Sequence, residues 1–166
     1  MKAAGIISLI VFIACIQCQQ ASSQVFTGGN TSISYDAGAV CVDVAPEVGY
    51  KIEKFRAGIA PFILYKEVAD IDNITFGART FIQYDIMKDV YLHAECQATR
   101  VQSITHALAG DVKSNKWVIS FPVGAGYRCK IADKTYAYGS VLYDFLLDEN
   151  SPQKNPLIRG GITYEF

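Results

Sequence analysis

Few residues in this chain could do chemistry. There are two histidines, His93 and His106. His93 stands two residues before Glu95, a spacing that puts both side chains on one face of an extended strand, where a carboxylate can orient an imidazole. His106 follows Ser103 by three residues in a stretch read as a loop. Acyl transfer needs a nucleophile, a positioned base and an oxyanion site, and no His-x-Ser pattern supplies them. The sequence therefore names no catalytic residue. Of five cysteines, Cys15 and Cys18 are expected to leave with an N-terminal signal peptide, and Cys41, Cys96 and Cys129 remain. Three cannot form a complete disulfide framework, although one bridge stays open, and none has metal-ligand spacing. Small apolar filler is their expected role. No nucleotide loop, metal cluster or cofactor site is present.

The elements that position these residues follow from composition and pattern. The chain has 166 residues, net charge -1, 51% apolar and 19% charged residues. That length suits one domain, the composition argues against disorder, and the charge argues against a nucleic-acid footprint. Lys2, an apolar run over residues 5–16 and the small residues Ala21-Ser22-Ser23 form an export signal, expected to be cleaved before Gln24. A lipid-attachment reading of Phe12-Ile13-Ala14-Cys15 is set aside, because Phe12 is a poor first residue and no Gly/Ser tether follows. The domains are thus 1–23, signal peptide, and 24–166, barrel domain.

After the signal, apolar and polar residues alternate with period 2. Eight strands are expected over residues 31–37, 40–50, 55–66, 75–85, 90–101, 117–128, 135–145 and 157–166. Most reach the about 9–11 residues that a tilted membrane-crossing strand needs. One face is apolar, for example Val40, Val42, Val44, Val48 and Tyr50. The other carries Asp43, Glu47, Arg56, Arg79, His93, Glu95, Arg128 and Arg159, an expected barrel-interior polar network. The seventh strand has Tyr on both faces, so its register stays open. Aromatics cap the apolar rows at both ends: Tyr50, Phe55, Tyr84 and Tyr127 at one rim, Tyr65, Phe76 and Trp117 at the other. This is the pattern of aromatic girdles at two membrane interfaces. Connections alternate between short turns and longer polar loops near residues 67–74, 102–116 and 146–156, the asymmetry of transmembrane barrels. The expected fold is all-β, an eight-stranded antiparallel up-and-down transmembrane β-barrel. A soluble lipocalin-like carrier, with its apolar row facing inward, is the alternative.

The chain stops on Phe166, with Tyr164 and Ile162 on the same face. This ending resembles the C-terminal β-signal of bacterial outer-membrane proteins, which implies that the barrel-assembly machinery reads this strand. Two strand–Gly-Tyr–turn–strand units, around Gly49-Tyr50 and Gly126-Tyr127, form a weak internal repeat. Over residues 27–166 the chain resembles small outer-membrane barrels of the OmpA/OmpX-like type, and more narrowly the outer membrane protein β-barrel domain common in Bacteroidota. The resemblance implies a Gram-negative outer-membrane location, lipid and lipopolysaccharide as surroundings, a monomer, no nucleic-acid partner and a structural or interaction role. Inward Gly49, Gly58, Ala60, Gly77, Gly124, Gly126 and Gly161 leave space for a narrow small-solute channel, the alternative to a largely plugged interior. Some small barrels modify lipid A with Ser and His at the outer rim, a pattern this chain lacks. Lys113 and Lys116, in the longest expected loop, could meet lipid phosphate.

Overall fold

A computed structural model describes residues 23–36, 39–68, 71–107, 110–146, 148 and 151–166, with side chains described except at 23, 36, 39, 67–68, 71–73 and 102–115. The expected signal peptide falls outside these residues apart from Ser23. The strands are β1 (Ser23–Asp36), β2 (Ala39–Ile52), β3 (Phe55–Val68), β4 (Ile71–Asp85), β5 (Val90–Ala107), β6 (Gly110–Ser120), β7 (Pro122–Ala132), β8 (Thr135–Asp144) and β9 (Leu157–Glu165). All pairings are antiparallel, in the order β4-β3-β2-β1-β9-β8-β7-β5-β6, and β4 pairs with β5 to close the barrel. β6 and β7 meet β5 in one continuous register, from Gln97↔Ser120 to Ala94↔Val123. They are two halves of one barrel strand interrupted at Phe121, before a proline that has no N–H to give the ladder. The closed barrel therefore has eight strands, as expected.

Alternation sets the two surfaces. Val44, Ile59, Ile63, Leu92, Val141 and Ile158 are exposed on the outside, while Asp43, Arg56, Arg79, Glu95 and Arg159 are buried inside. A lipocalin-like carrier would need the reverse. Outward Thr27 and Thr31 donate to the carbonyls of Glu47 (3.2 Å) and Asp43 (2.7 Å), which hides their hydroxyls from an apolar environment. Pro46 and Pro61 face outward from β2 and β3, and the ladder lapses there between Val44↔Ile63 and Val48↔Ile59. Both termini of the described barrel lie at one end with the turns β2–β3, β4–β5 and β7–β8, since Ser23 pairs with Ile52 and Phe26 with Glu165. Glu53 and Lys134 hold φ of 53° and 58° in two of those turns, the left-handed conformation that tight hairpin turns often use.

Two expectations need correction, and one register left open is resolved. The first strand begins at Ser23 rather than near residue 31, so Gly28-Gly29-Asn30 belongs to the wall. Those small and polar residues hide the alternation. The expected loops near 67–74 and 102–116 are strand: β3 pairs with β4 out to Val68↔Ile71, and β5 with β6 out to Ala107↔Gly110. Both hairpins continue past the point where β4 and β5 pair, at Phe76↔Arg100. The loss of apolar alternation there marks the end of the apolar belt, not the end of the strands. The seventh expected strand, now β8, resolves with Tyr138 inward and Tyr143 outward.

Cys41, Cys96 and Cys129 form no disulfide with one another: Cys41 is buried inside, and Cys96 and Cys129 are exposed outside. A water-soluble maleimide should label Cys129, exposed near the turn after β7, and leave the buried Cys41 intact until the barrel unfolds, as read by mass spectrometry of peptides. Labelling of Cys41 ahead of Cys129 in the folded protein would contradict the assignment of the two surfaces.

Candidate functional site

The candidate site is the barrel lumen. An eight-stranded barrel is just wide enough for side chains to fill, so inward residues from opposite walls must touch. All eight residues of the expected network are buried there. They fall into three groups.

The first group lies toward the long-connection end. Arg79 on β4 donates to Asp43 on β2 at 2.5 Å and to Asn30 on β1 at 3.2 Å, and its guanidinium lies 4.8 Å from the centre of the Phe62 ring. Asn30 also donates to Glu47 at 2.8 Å, and Glu47 accepts the Tyr138 hydroxyl at 2.8 Å from across the barrel. Ser32 donates to Asp43. The second group is a relay across β4, β5, β7 and β9. Arg128 pairs with Asp85 at 2.9 Å and donates to the Gln83 carbonyl oxygen. The Gln83 amide donates to His93 Nδ1 at 3.1 Å, which leaves the His93 proton on Nε2, donated to Glu95 at 2.9 Å. Arg159 pairs with the same Glu95 oxygen. The third group, at the terminus end, is Glu165 held by Arg56 and by Lys51 at 3.1 Å.

Each of the four inward arginines thus has its own carboxylate, as charges removed from water require. His93 has both ring nitrogens engaged and stacks on Phe81 with 5.7 Å between ring centres. It is placed as a link in a relay, not as a base facing a substrate. The side chains of His106 and Ser103 lie outside the described residues, as does that of Lys113. Lys116 sits 4.0 Å from Asp148, a solvent-exposed pair worth little.

Two features escaped the sequence. The first is how the inward glycines are used. Five of them lie directly opposite an inward aromatic on the neighbouring strand: Gly49 with Phe26, Gly58 with Phe81, Gly77 with Phe62, Gly126 with Tyr91 and Gly161 with Tyr138. A Cβ at Gly126 would meet the Tyr91 ring first, at 2.4 Å; one at Gly49 would meet the Ala57 carbonyl at 2.2 Å and the Phe26 ring at 2.6 Å, and one at Gly77 the Ala98 carbonyl at 2.3 Å and the Phe62 ring at 2.5 Å. The expected space at these glycines is therefore occupied by rings. It follows that the inner row is not purely polar: Phe26, Ala45, Ala60, Phe62, Leu64 and Phe81 form an apolar cluster on the β1–β4 side.

The second feature is the connection between β8 and β9. Gln153 from this connection is buried in the mouth, where its amide donates to Asp43 at 2.7 Å and to Ser32 at 3.1 Å, and its oxygen accepts from Gln97 at 2.8 Å. The Pro152 carbonyl accepts the Cys41 thiol at 3.0 Å, and Asn155 caps Asp144 through its backbone N–H (2.6 Å) and C=O (2.9 Å). An aperiodic polar segment carries no signal that it turns inward.

The aromatics expected to form a girdle lie on the outside. Tyr50, Phe55, Tyr65, Tyr84, Trp117 and Tyr127 are all exposed, and Phe55 and Tyr84 pair with ring centres 4.8 Å apart. Tyr35, Tyr143 and Phe145 are exposed as well. Ile162, Tyr164 and Phe166 share the outer face of the last strand, with Tyr164 and Phe166 edge to face at 5.2 Å.

Truncating one partner of a buried ion pair strands the other charge, at a cost of about 3–5 kcal/mol, whereas replacing both with apolar residues is often near neutral. Asp43→Ala should therefore lower the urea midpoint of the detergent-folded barrel strongly, and Asp43→Leu with Arg79→Met should recover most of the loss. A mild Asp43→Ala effect would show that Arg79 does not depend on this carboxylate. Gly126→Ala should cost about 1–3 kcal/mol by overpacking against Tyr91, and Tyr91→Ala in the same chain should relieve part of it. Additive losses would mean that the ring does not occupy that space.

No family model matches the chain, and no curated protein matches it either. Solved structures do. The N-terminal β-barrel domain of Pseudomonas aeruginosa OprF superposes with TM-score 0.60 at 10% identity, over 89% of this chain and 100% of that one. Neisserial surface protein A gives 0.53 at 14% identity, over 87% and 97%. Ail, the attachment invasion locus protein of Yersinia pestis, gives 0.51 at 11% identity, over 89% and 100%. At these identities the likeness is one of fold. The chain has the closed eight-stranded architecture of small outer-membrane β-barrels.

Proposed function

We propose that this chain is an integral outer-membrane protein of a Gram-negative bacterium, exported by its N-terminal signal and inserted by the barrel-assembly machinery, with a structural or interaction role and a largely plugged interior. The apolar exterior with aromatics at both rims supports the membrane placement. One observation carries the plugged reading: the lumen is crossed by paired charges and ring-on-glycine contacts, and Gln153 closes the mouth on Asp43. The residues that would be free to act are then those of the β3–β4 and β5–β6 hairpins beyond the mouth and of the β8–β9 connection, which would face lipopolysaccharide and whatever meets the cell. The described lumen brings no serine or cysteine nucleophile to His93, which supports a role other than catalysis.

A narrow channel is the second reading, and a specific observation favours it. Arg56 Nη1, Arg79 Nε, Arg159 Nη2, Glu95 Oε1 and Gln97 Oε1 are buried with no hydrogen-bond partner among the described residues. Such groups ordinarily bond water, and a file of water could pass a small solute.

Planar bilayers separate the two. Reconstituted wild-type protein should show no stable unit conductance, and a deletion strain should become more sensitive to bile salts and detergent. A steady conductance altered by Arg79→Ala would overturn the plugged reading. A deletion strain with unchanged envelope resistance would remove the structural role.

A further inference from the structure

The chain has five arginines. Four point into the lumen, each with its own carboxylate: Arg56 with Glu165, Arg79 with Asp43, Arg128 with Asp85 and Arg159 with Glu95. The fifth, Arg100, lies on the outward row of β5, in line with Leu92, Ala94, Cys96 and Ala98. Among the described side chains it is the one ionised residue on the outward rows between the turns, and no described carboxylate pairs with it. Its cross-strand neighbours are Phe76 on β4 and Trp117 on β6, so it stands within the girdle at the end opposite the termini. Both neighbours are exposed, and the guanidinium carbon lies 5.4 Å from the centre of the Phe76 ring.

A guanidinium on a lipid-facing row is costly in hydrocarbon and favourable at headgroup level, where an anion can meet it. Its planar fork matches a phosphate bidentately, and an aromatic face beneath it holds that plane without removing its donors. We propose that Arg100, set between Phe76 and Trp117, binds a phosphate monoester of an outer-leaflet glycolipid of the lipid A class. This rests on the outer-membrane placement above and is independent of whether the lumen is plugged. It assigns the outer surface of the β4–β5–β6 seam a specific lipid, where the lysines of the hairpin beyond it suggest only general attraction.

The test is native mass spectrometry of the full barrel, released from detergent micelles doped with bis-phosphorylated lipid A, with the same lipid A after phosphatase treatment, or with phosphatidylglycerol. Wild type should retain bis-phosphorylated lipid A in preference to both others. Arg100→Gln should lose about tenfold in retention, as expected when a charge-assisted pair is removed, and Arg100→Lys should keep part of it. A heat-dependent gel shift verifies that each variant is folded. Should Arg100→Gln fail to fold, Arg100→Lys and Phe76→Leu, each expected to weaken retention, carry the comparison. Equal retention of dephosphorylated lipid A, equal retention by wild type and the folded variants, or equal retention of phosphatidylglycerol would overturn the proposal. A conducting barrel would contradict the plugged reading and leave this result untouched.

Discussion

Asp43 and Arg79 meet at 2.5 Å, both fully buried in the lumen, and much of the interior is arranged around that contact. Asp43 also accepts from Ser32 and Gln153, so the same carboxylate ties β1, β2, β4 and the long connection into one unit. Arg79 passes the link to Asn30 and through it to Glu47 and Tyr138 on the far wall. The reason for this economy lies outside. Once the outward rows are committed to apolar and aromatic residues, every charge the strands carry must be accommodated in a space with little solvent, where an unpaired charge is far more costly than a well-paired one repays. Pairing is therefore a condition of the fold before it is a source of stability.

Packing imposes the second condition. Eight strands enclose too little volume for rings on every wall, and the glycine opposite each of five aromatics makes the room. In the row Phe26–Gly49–Gly58–Phe81 two rings from β1 and β4 close over two glycines on β2 and β3, with 6.3 Å between ring centres. Glycine weakens a strand on its own, and a ring laid across it returns contact to the bare backbone. The charges and the rings also share surfaces: Arg79 lies over Phe62, and Arg128 lies 4.5 Å from the centre of the Tyr91 ring. The apolar cluster and the ionic network are one packed interior.

The division of surfaces was legible in the sequence because it is a local, period-2 property. Val44 and Asp43 differ in facing by one residue, and no knowledge of partners is needed to see it. Partners were not legible. That Asp43 meets Arg79, or that Phe26 covers Gly49, depends on cross-strand register, which the alternation leaves unspecified. Tyr on both faces hid the register of β8 for the same reason. Gln153 was invisible, because a segment without period says nothing about where its side chains go. The polar stretch at the tip of the β5–β6 hairpin reads as a loop since the apolar belt, and with it the apolar alternation, has ended there. Arg100 was hidden differently. It continues the row of Leu92, Ala94, Cys96 and Ala98, and only its place between Phe76 and Trp117 shows it to be at the girdle rather than past it.

All of this presupposes a closed barrel whose apolar exterior meets lipid. The most direct measurement is gel migration in SDS of the fractionated cell envelope, unboiled against boiled. A closed, internally hydrogen-bonded barrel resists SDS until it is heated, so a band in the membrane fraction should change its migration on boiling. A protein found in the soluble fraction that migrates identically with and without heat would contradict the account.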